Sequence, residues 1–356
     1  MSTKKAIKAS NSNKTLVNRH FRDGKKELVA TKKTGESMDT CATIHKEYIC
    51  CNVKVLKSIS NCPFDCSYCF LQDYLNSGAL SYVSDTKTLI KEVKQKCEAQ
   101  PWRLFRIGTW ELGDSLALED KIGQAQELIA AFSTIPNALL ELKTKSDNVD
   151  PILNCDHKKK TVVSFSLNPA YIVDKEEHKT APLHKRLQAI KKAQKAGYLI
   201  GLHIDPMIAY PDWEAGYGEL IDAIFKHVSP NQVAWISMGS LRFNPEQKRL
   251  MHINFPGSKI ASNEMVLGSD RKLRYVKPFR LMMYKYLYQK LCEKGAQDAC
   301  VYLCMERFNV WESVFGYSPT SIGHLDYLFA DSLGKRFKHL SNIKPDLTLY
   351  ERFQDS

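Results

Sequence analysis

The sequence predicts an α/β fold built as a partial (β/α)6 TIM-type barrel, and three observations lead there. Six short runs rich in aliphatic and β-branched residues alternate with segments of helical spacing, the pattern of parallel βαβ units joined by right-handed crossovers. No G-x-G-x-x-G follows the first run, so a dinucleotide-binding open sheet lacks its fingerprint. The polar residues with the most chemistry fall where the runs end, the rim at which barrel enzymes carry their sites.

In order, residues 1–40 are polar, carry Lys4, Lys5, Lys8, Lys14, Arg19, Arg22, Lys25, Lys26, Lys32 and Lys33, and lack hydrophobic periodicity. They read as a mobile basic arm, either a solvated tail or a nucleic-acid arm. The barrel is expected over 41–245. Its strands are placed at 53–56, 103–109, 138–143, 161–168, 199–204 and 232–238. Helices are placed at 86–99, where Leu89, Ile90, Val93 and Cys97 recur at helical spacing, and at 121–132, 182–196 and 213–227. Residues 246–356 read as an extension packed on the barrel, with helices at 274–291 and 321–337 and an apolar run at 300–305.

Composition bounds the class. A chain of 356 residues with 44% hydrophobic and 25% charged side chains can bury one large core. No apolar run reaches the length of a membrane span, and the start MSTKKAIKASNSNKT lacks the apolar centre of a signal peptide. The odd count of eleven cysteines points to reduced thiols in a cytoplasmic protein rather than a secreted disulfide framework. A net charge of +12 favours a polyanionic partner, with nucleic acid foremost.

The densest chemistry lies at 60–70, where Cys62, Cys66 and Cys69 form a C-x3-C-x2-C run. Three thiolates in one loop suit three irons of a cuboidal [4Fe–4S] cluster, leaving the fourth open to a non-protein ligand. Structural zinc usually needs a second ligand pair, and the next cysteine, Cys97, stands alone; zinc or a chance cluster is the alternative. Cys50 and Cys51 are adjacent, a poor spacing for joint ligation, and read as structural.

With Tyr68 before its third cysteine, this loop resembles the signature of the radical S-adenosylmethionine (SAM) superfamily. Three further islands, CSYCFLQDYL at 66–75, VSFSLNPAYIV at 163–173 and GYLIGLHIDPMIAYPDWEAGY at 197–217, resemble the spore photoproduct lyase branch of DNA-repair enzymes. The likeness runs from about residue 50 to 290. It implies that Cys62, Cys66 and Cys69 hold the cluster, that the open iron takes the amino and carboxylate groups of SAM, and that Tyr68 lies beside the adenine and serves a radical relay. It further implies that Lys145 meets the SAM carboxylate, that Ser166 and Asn168 reach its methionine or ribose part, and that Arg280 grips substrate phosphate. The chemistry implied is reductive cleavage of SAM to a 5′-deoxyadenosyl radical, with the electron coming from a flavodoxin or ferredoxin.

Read from the residues alone, Lys145 is compatible with a carboxylate contact or with solvation, Ser166 and Asn168 with turn formation, and Arg280 with an ordinary salt bridge. Two departures stand out. Glu111 occupies the position of the family's hydrogen-donating cysteine, and a carboxylate O–H is too strong to replace a thiol. Phe70 stands where the lyases carry a second tyrosine. Glu111 instead suits the SAM amino group or a barrel salt bridge, with Asp114 the weaker candidate. His203 and Asp205, two apart on a strand, face one side, as substrate contacts or a core pair. Cys300 and Cys304 are buried small hydrophobes, or one of them is a substitute hydrogen donor. Tyr284, Tyr286 and Tyr288, interleaved with Lys285 and Lys290, are base-stacking or half-buried. The leading expectation is a radical SAM lyase acting on a DNA photoproduct. The alternatives are the same chemistry on RNA, a peptide or a metabolite, or a nucleic-acid-binding protein with a structural cluster.

Overall fold

A computed structural model describes residues 24–41, 45, 47–75, 77–338 and 340–352. The expected runs form strands β1 (Lys54–Leu56), β2 (Phe105–Gly108), β3 (Ala138–Thr144), β4 (Thr161–Ser166), β5 (Leu199–Met207) and β6 (Val233–Ser240). Each pairs in parallel with the next in sequence. The order never reverses, so there is no switch point and the sheet curls into a half-barrel. Both faces of these strands are covered, which explains runs such as TVVSFS and VAWISMGS with every residue buried.

The run at 300–305 supplies a seventh parallel strand, β7 (Cys300–Leu303), beside β6. The part expected as an extension therefore completes the sheet. At the opposite edge Met38–Thr40 pairs antiparallel with β1, so β7 and this edge strand leave the curl open. Helices α1 (Thr86–Ala99), α2 (Gln124–Phe132), α3 (Leu183–Lys195) and α4 (Trp213–Phe225) lie in the expected crossovers. On α1, Leu89, Val93 and Cys97 are buried at i, i+4 and i+8, and Asp85 caps the helix by accepting from Thr88 N at 3.1 Å. The helix expected at 121–132 is broken at Gly123, whose φ of +70° lies in the left-handed region that glycine adopts without steric cost. Between β3 and β4 there is a single 3-10 turn, Asp150–Ile152.

The mobile reading fails for 24–40, while residues 1–23 lie outside the described residues. Leu28–Thr31 pairs in parallel with Leu80–Val83. Glu92 on α1 accepts from the amides of Ser37 and Met38 at 2.8 and 3.3 Å and pairs with Lys33 at 2.6 Å, tying the segment down. Helices α5 (Lys277–Glu293) and α6 (Ile322–Arg336) pack outside the last strands, with Pro278 in the first turn of α5, where no amide hydrogen is needed. No helix among the described residues is long and apolar enough to cross a membrane.

Candidate active site

The strand ends converge on one cavity of about 500 Å³. Cys62, Cys66, Cys69 and Tyr68 line it from the cysteine loop, Glu111 and Asp114 from the loop after β2, Lys143 and Lys145 from the end of β3, and Ser166 from the last position of β4. His203 and Asp205 from β5, Arg242 after β6, and Cys304 after β7 complete the rim. This is the C-terminal edge of the sheet, as expected for a barrel site.

The cysteine loop is held from both sides. Asp65–Cys66 pairs antiparallel with Glu177–His178, and Ser67 N donates to Glu176 O at 2.8 Å. The buried carboxylate of Asp65 receives Lys25 at 2.8 Å and Lys179 at 2.6 Å. Asn61, at φ +68°, turns the chain and accepts from Cys62 N at 2.8 Å. Burial pushes all three thiols up, Cys66 to about 12, so metal binding must displace their protons. Among the described residues no three His, Cys, Asp or Glu side chains are already gathered around one metal position. Three thiols on one wall of a cavity large enough for a cofactor fit a cluster that keeps one iron open.

Tyr68 is buried, its hydroxyl donates to Glu177 Oε1, and its ring lies 5.6 Å from Lys145 Nζ. Burial alone would raise the Glu177 carboxyl, but Arg186 at 2.6 Å and Lys145 hold it down at about 2. Glu111 accepts from Cys41 Sγ at 3.2 Å. Asp114 is engaged in shaping its loop, accepting from the amides of Leu116, Ala117 and Lys145 and from Thr144 Oγ1.

Two expected site residues lie elsewhere. Asn168 is not among the cavity-lining residues: its amide nitrogen donates to Glu177 at 3.0 Å and its oxygen accepts from Tyr217 at 3.1 Å, so it braces the carboxylate beneath Tyr68. Arg280 is buried on α5, pairs with Glu306 at 2.7 Å and donates to Tyr275 O. Arg280 is not among the residues that line the cavity, so a phosphate held there would not meet it.

His203 and Asp205 line the cavity but do not pair with each other. His203 Nε2 meets Glu141 Oε1 at 2.8 Å, and Asp205 pairs with Arg242 at 3.0 Å. Burial, then Lys143, lowers the His203 pKa, against the opposing pull of Glu141. Glu141, inside β3, also accepts from Ser164, Trp235 and Trp110 at 2.7–3.0 Å. Cys304 lines the cavity while Cys300 does not, and Cys50 and Cys51, read as structural, line it as well, together with Cys41. Tyr284 is buried on α5 and donates to Glu306, whereas Tyr286 and Tyr288 are half-buried.

The sequence profile of the family described as spore photoproduct lyase matches residues 17–311. The chain is 29% identical over 245 residues to the spore photoproduct lyase of Bacillus subtilis, covering 67% of this chain and 69% of that protein. It is 26% identical over 234 residues to that of Geobacillus, covering 65% and 66%. Among solved structures, spore photoproduct lyase complexed with dinucleoside spore photoproduct superposes with a TM-score of 0.71 at 20% identity, covering 80% of this chain and 85% of that one. A doubly substituted form of that lyase, with bound AdoMet and the dinucleoside spore photoproduct, superposes equally well at a TM-score of 0.71. Sequence match and shared half-barrel together place the chain in the spore photoproduct lyase family of radical SAM lyases.

Proposed function

We propose that this chain is a radical SAM enzyme that reverses a pyrimidine photoproduct in DNA. The observation that carries this reading is the convergence of Cys62, Cys66 and Cys69 with Glu111, Lys145 and Ser166 around one cavity at the strand ends. When bound, a [4Fe–4S] cluster and SAM supply a carbon-centred radical that takes hydrogen from the substrate.

The chain's own residues hold and shield that chemistry. Lys145, which makes no ion pair among the described residues, offers a positive point charge to the SAM carboxylate, and Glu111 offers the negative charge that suits its amino group. The Ser166 hydroxyl is placed for the ribose or methionine end, and the Tyr68 ring forms an apolar wall for the adenine. Hydrogen return to the repaired base needs a weak S–H bond. Cys41, whose thiol already contacts Glu111, supplies it from beside position 111, and the thiyl radical left on its sulfur takes one electron from the external reductant and a proton to become a thiol again. A small cytosolic ferredoxin or flavodoxin serves as reductant.

The test is anaerobic reconstitution with iron and sulfide, followed by SAM, reductant and irradiated DNA. The expected result is 5′-deoxyadenosine together with restored thymines. A protein that loads a cluster yet yields no 5′-deoxyadenosine has only a structural cluster. One that yields it while leaving irradiated DNA unchanged acts on another substrate, to be sought among RNA, peptides and metabolites.

A further inference from the structure

The cavity lining carries two groups of cations. Beside the cysteine loop, Lys145 stands over Tyr68 and feels Glu177, Cys66 and Cys69. The other three cations gather around Asp205 and Cys304. Arg242 forks onto Asp205 at 3.0 and 3.2 Å and donates to Cys304 Sγ at 3.2 Å. Lys143 lies 3.5 Å from the centre of the Trp110 ring, and Lys272 touches the Met305 thioether at 3.7 Å. Neither lysine makes an ion pair among the described residues.

This second group therefore sets three cations against one carboxylate, with the other cavity acids engaged elsewhere. Asp73 accepts from Asn244, Asp114 from backbone amides, and Glu111 from the Cys41 thiol. Burial lowers the pKa of Lys143 and of Lys272, and Arg242 lowers Lys272 further, while Glu141 and Asp205 pull Lys143 and Asp270 pulls Lys272 the other way without restoring either to its ordinary value. An arrangement of this kind is stable only if water or an anion answers it, and a planar guanidinium beside two point charges suits a phosphodiester.

We propose that Lys143, Arg242 and Lys272 form an anion subsite that takes a phosphodiester of the nucleic-acid substrate, around Asp205 and Cys304 in the cavity wall. This rests on the nucleic-acid reading above and assigns to these three residues the phosphate contact that the sequence assigned to Arg280.

The experiment compares binding of an irradiated thymine dinucleotide with its dinucleoside counterpart lacking the phosphate, using the full chain loaded with cluster and SAM. The unsubstituted protein is expected to prefer the phosphate-bearing ligand by about tenfold, the worth of one charge-assisted contact. Lys272→Met and Lys143→Met should each reduce that preference to within about twofold, and Lys272→Arg should keep it, with unchanged melting temperatures confirming folded variants. Equal binding of both ligands by the unsubstituted protein, or a full preference in both Met variants, overturns the subsite. Failure of the repair reading looks different: the phosphate preference persists while no thymine is restored.

Discussion

The thiol of Cys41 donates to Glu111 Oε1 at 3.2 Å, so a residue from before the first barrel strand reaches the loop after the second. The resemblance drawn from the sequence sets Glu111 where the family's thiol is expected, and this contact brings a thiol within a side-chain length of that position. Cys41→Ala is expected to keep forming 5′-deoxyadenosine while restored thymines fall by at least about tenfold. Adding Glu111→Cys should recover part of the loss. Repair at full rate in Cys41→Ala would exclude this thiol and turn attention to Cys304.

Glu177 holds Tyr68, Asn168 and Arg186 at once, beneath the cysteine loop. Arg186→Met strands its carboxylate in a fully buried site. The expected loss is on the order of 3–5 kcal/mol, read from the denaturation midpoint, accompanied by poorer iron loading.

Arg280→Met breaks an equally buried pair with Glu306 and should cost a similar amount of stability. The salt dependence of DNA binding should not change in this variant. A slope reduced by about one would return Arg280 to the phosphate-binding residues.

Glu92 predicts a pH effect. Burial opposes its ionisation, but Lys33 and the contacts from Ser37 and Met38 outweigh burial and hold the pKa at about 2, below the ordinary 4.5. Its stabilising contribution is therefore complete above about pH 4.5 and fades as the pH falls toward 2. Glu92→Gln at neutral pH should speed amide exchange at Ser37 and Met38 by roughly tenfold. The difference from the parent protein should shrink in acid.

Local patterns made most of the architecture readable. The six strands and their helices follow from period and length, and the cysteine trio from spacing within a single loop. What escaped depends on partners distant in sequence. Lys272 and Arg242 join the site through a small antiparallel sheet of Arg242–Phe243, Leu273–Tyr275 and Met265–Leu267 that no periodicity announces. The run CVYL was too short to distinguish a strand from a buried helix turn, and only its place beside β6 decides. Some signals were present and unused. A glutamate inside ALLELKT marks a buried carboxylate in need of donors, and Glu141 has four. Arg280 shares the buried i, i+3, i+4, i+7, i+11 stripe with Met283, Tyr284, Leu287 and Leu291, which already argued against exposure.

Asp65 is gripped by a lysine forty residues upstream and by another from the stretch linking β4 to α3. During synthesis, then, the nascent loop cannot take its final shape until the ribosome has delivered residue 179. If the loop holds the proposed cluster, a chain truncated before residue 179 should emerge unable to retain iron.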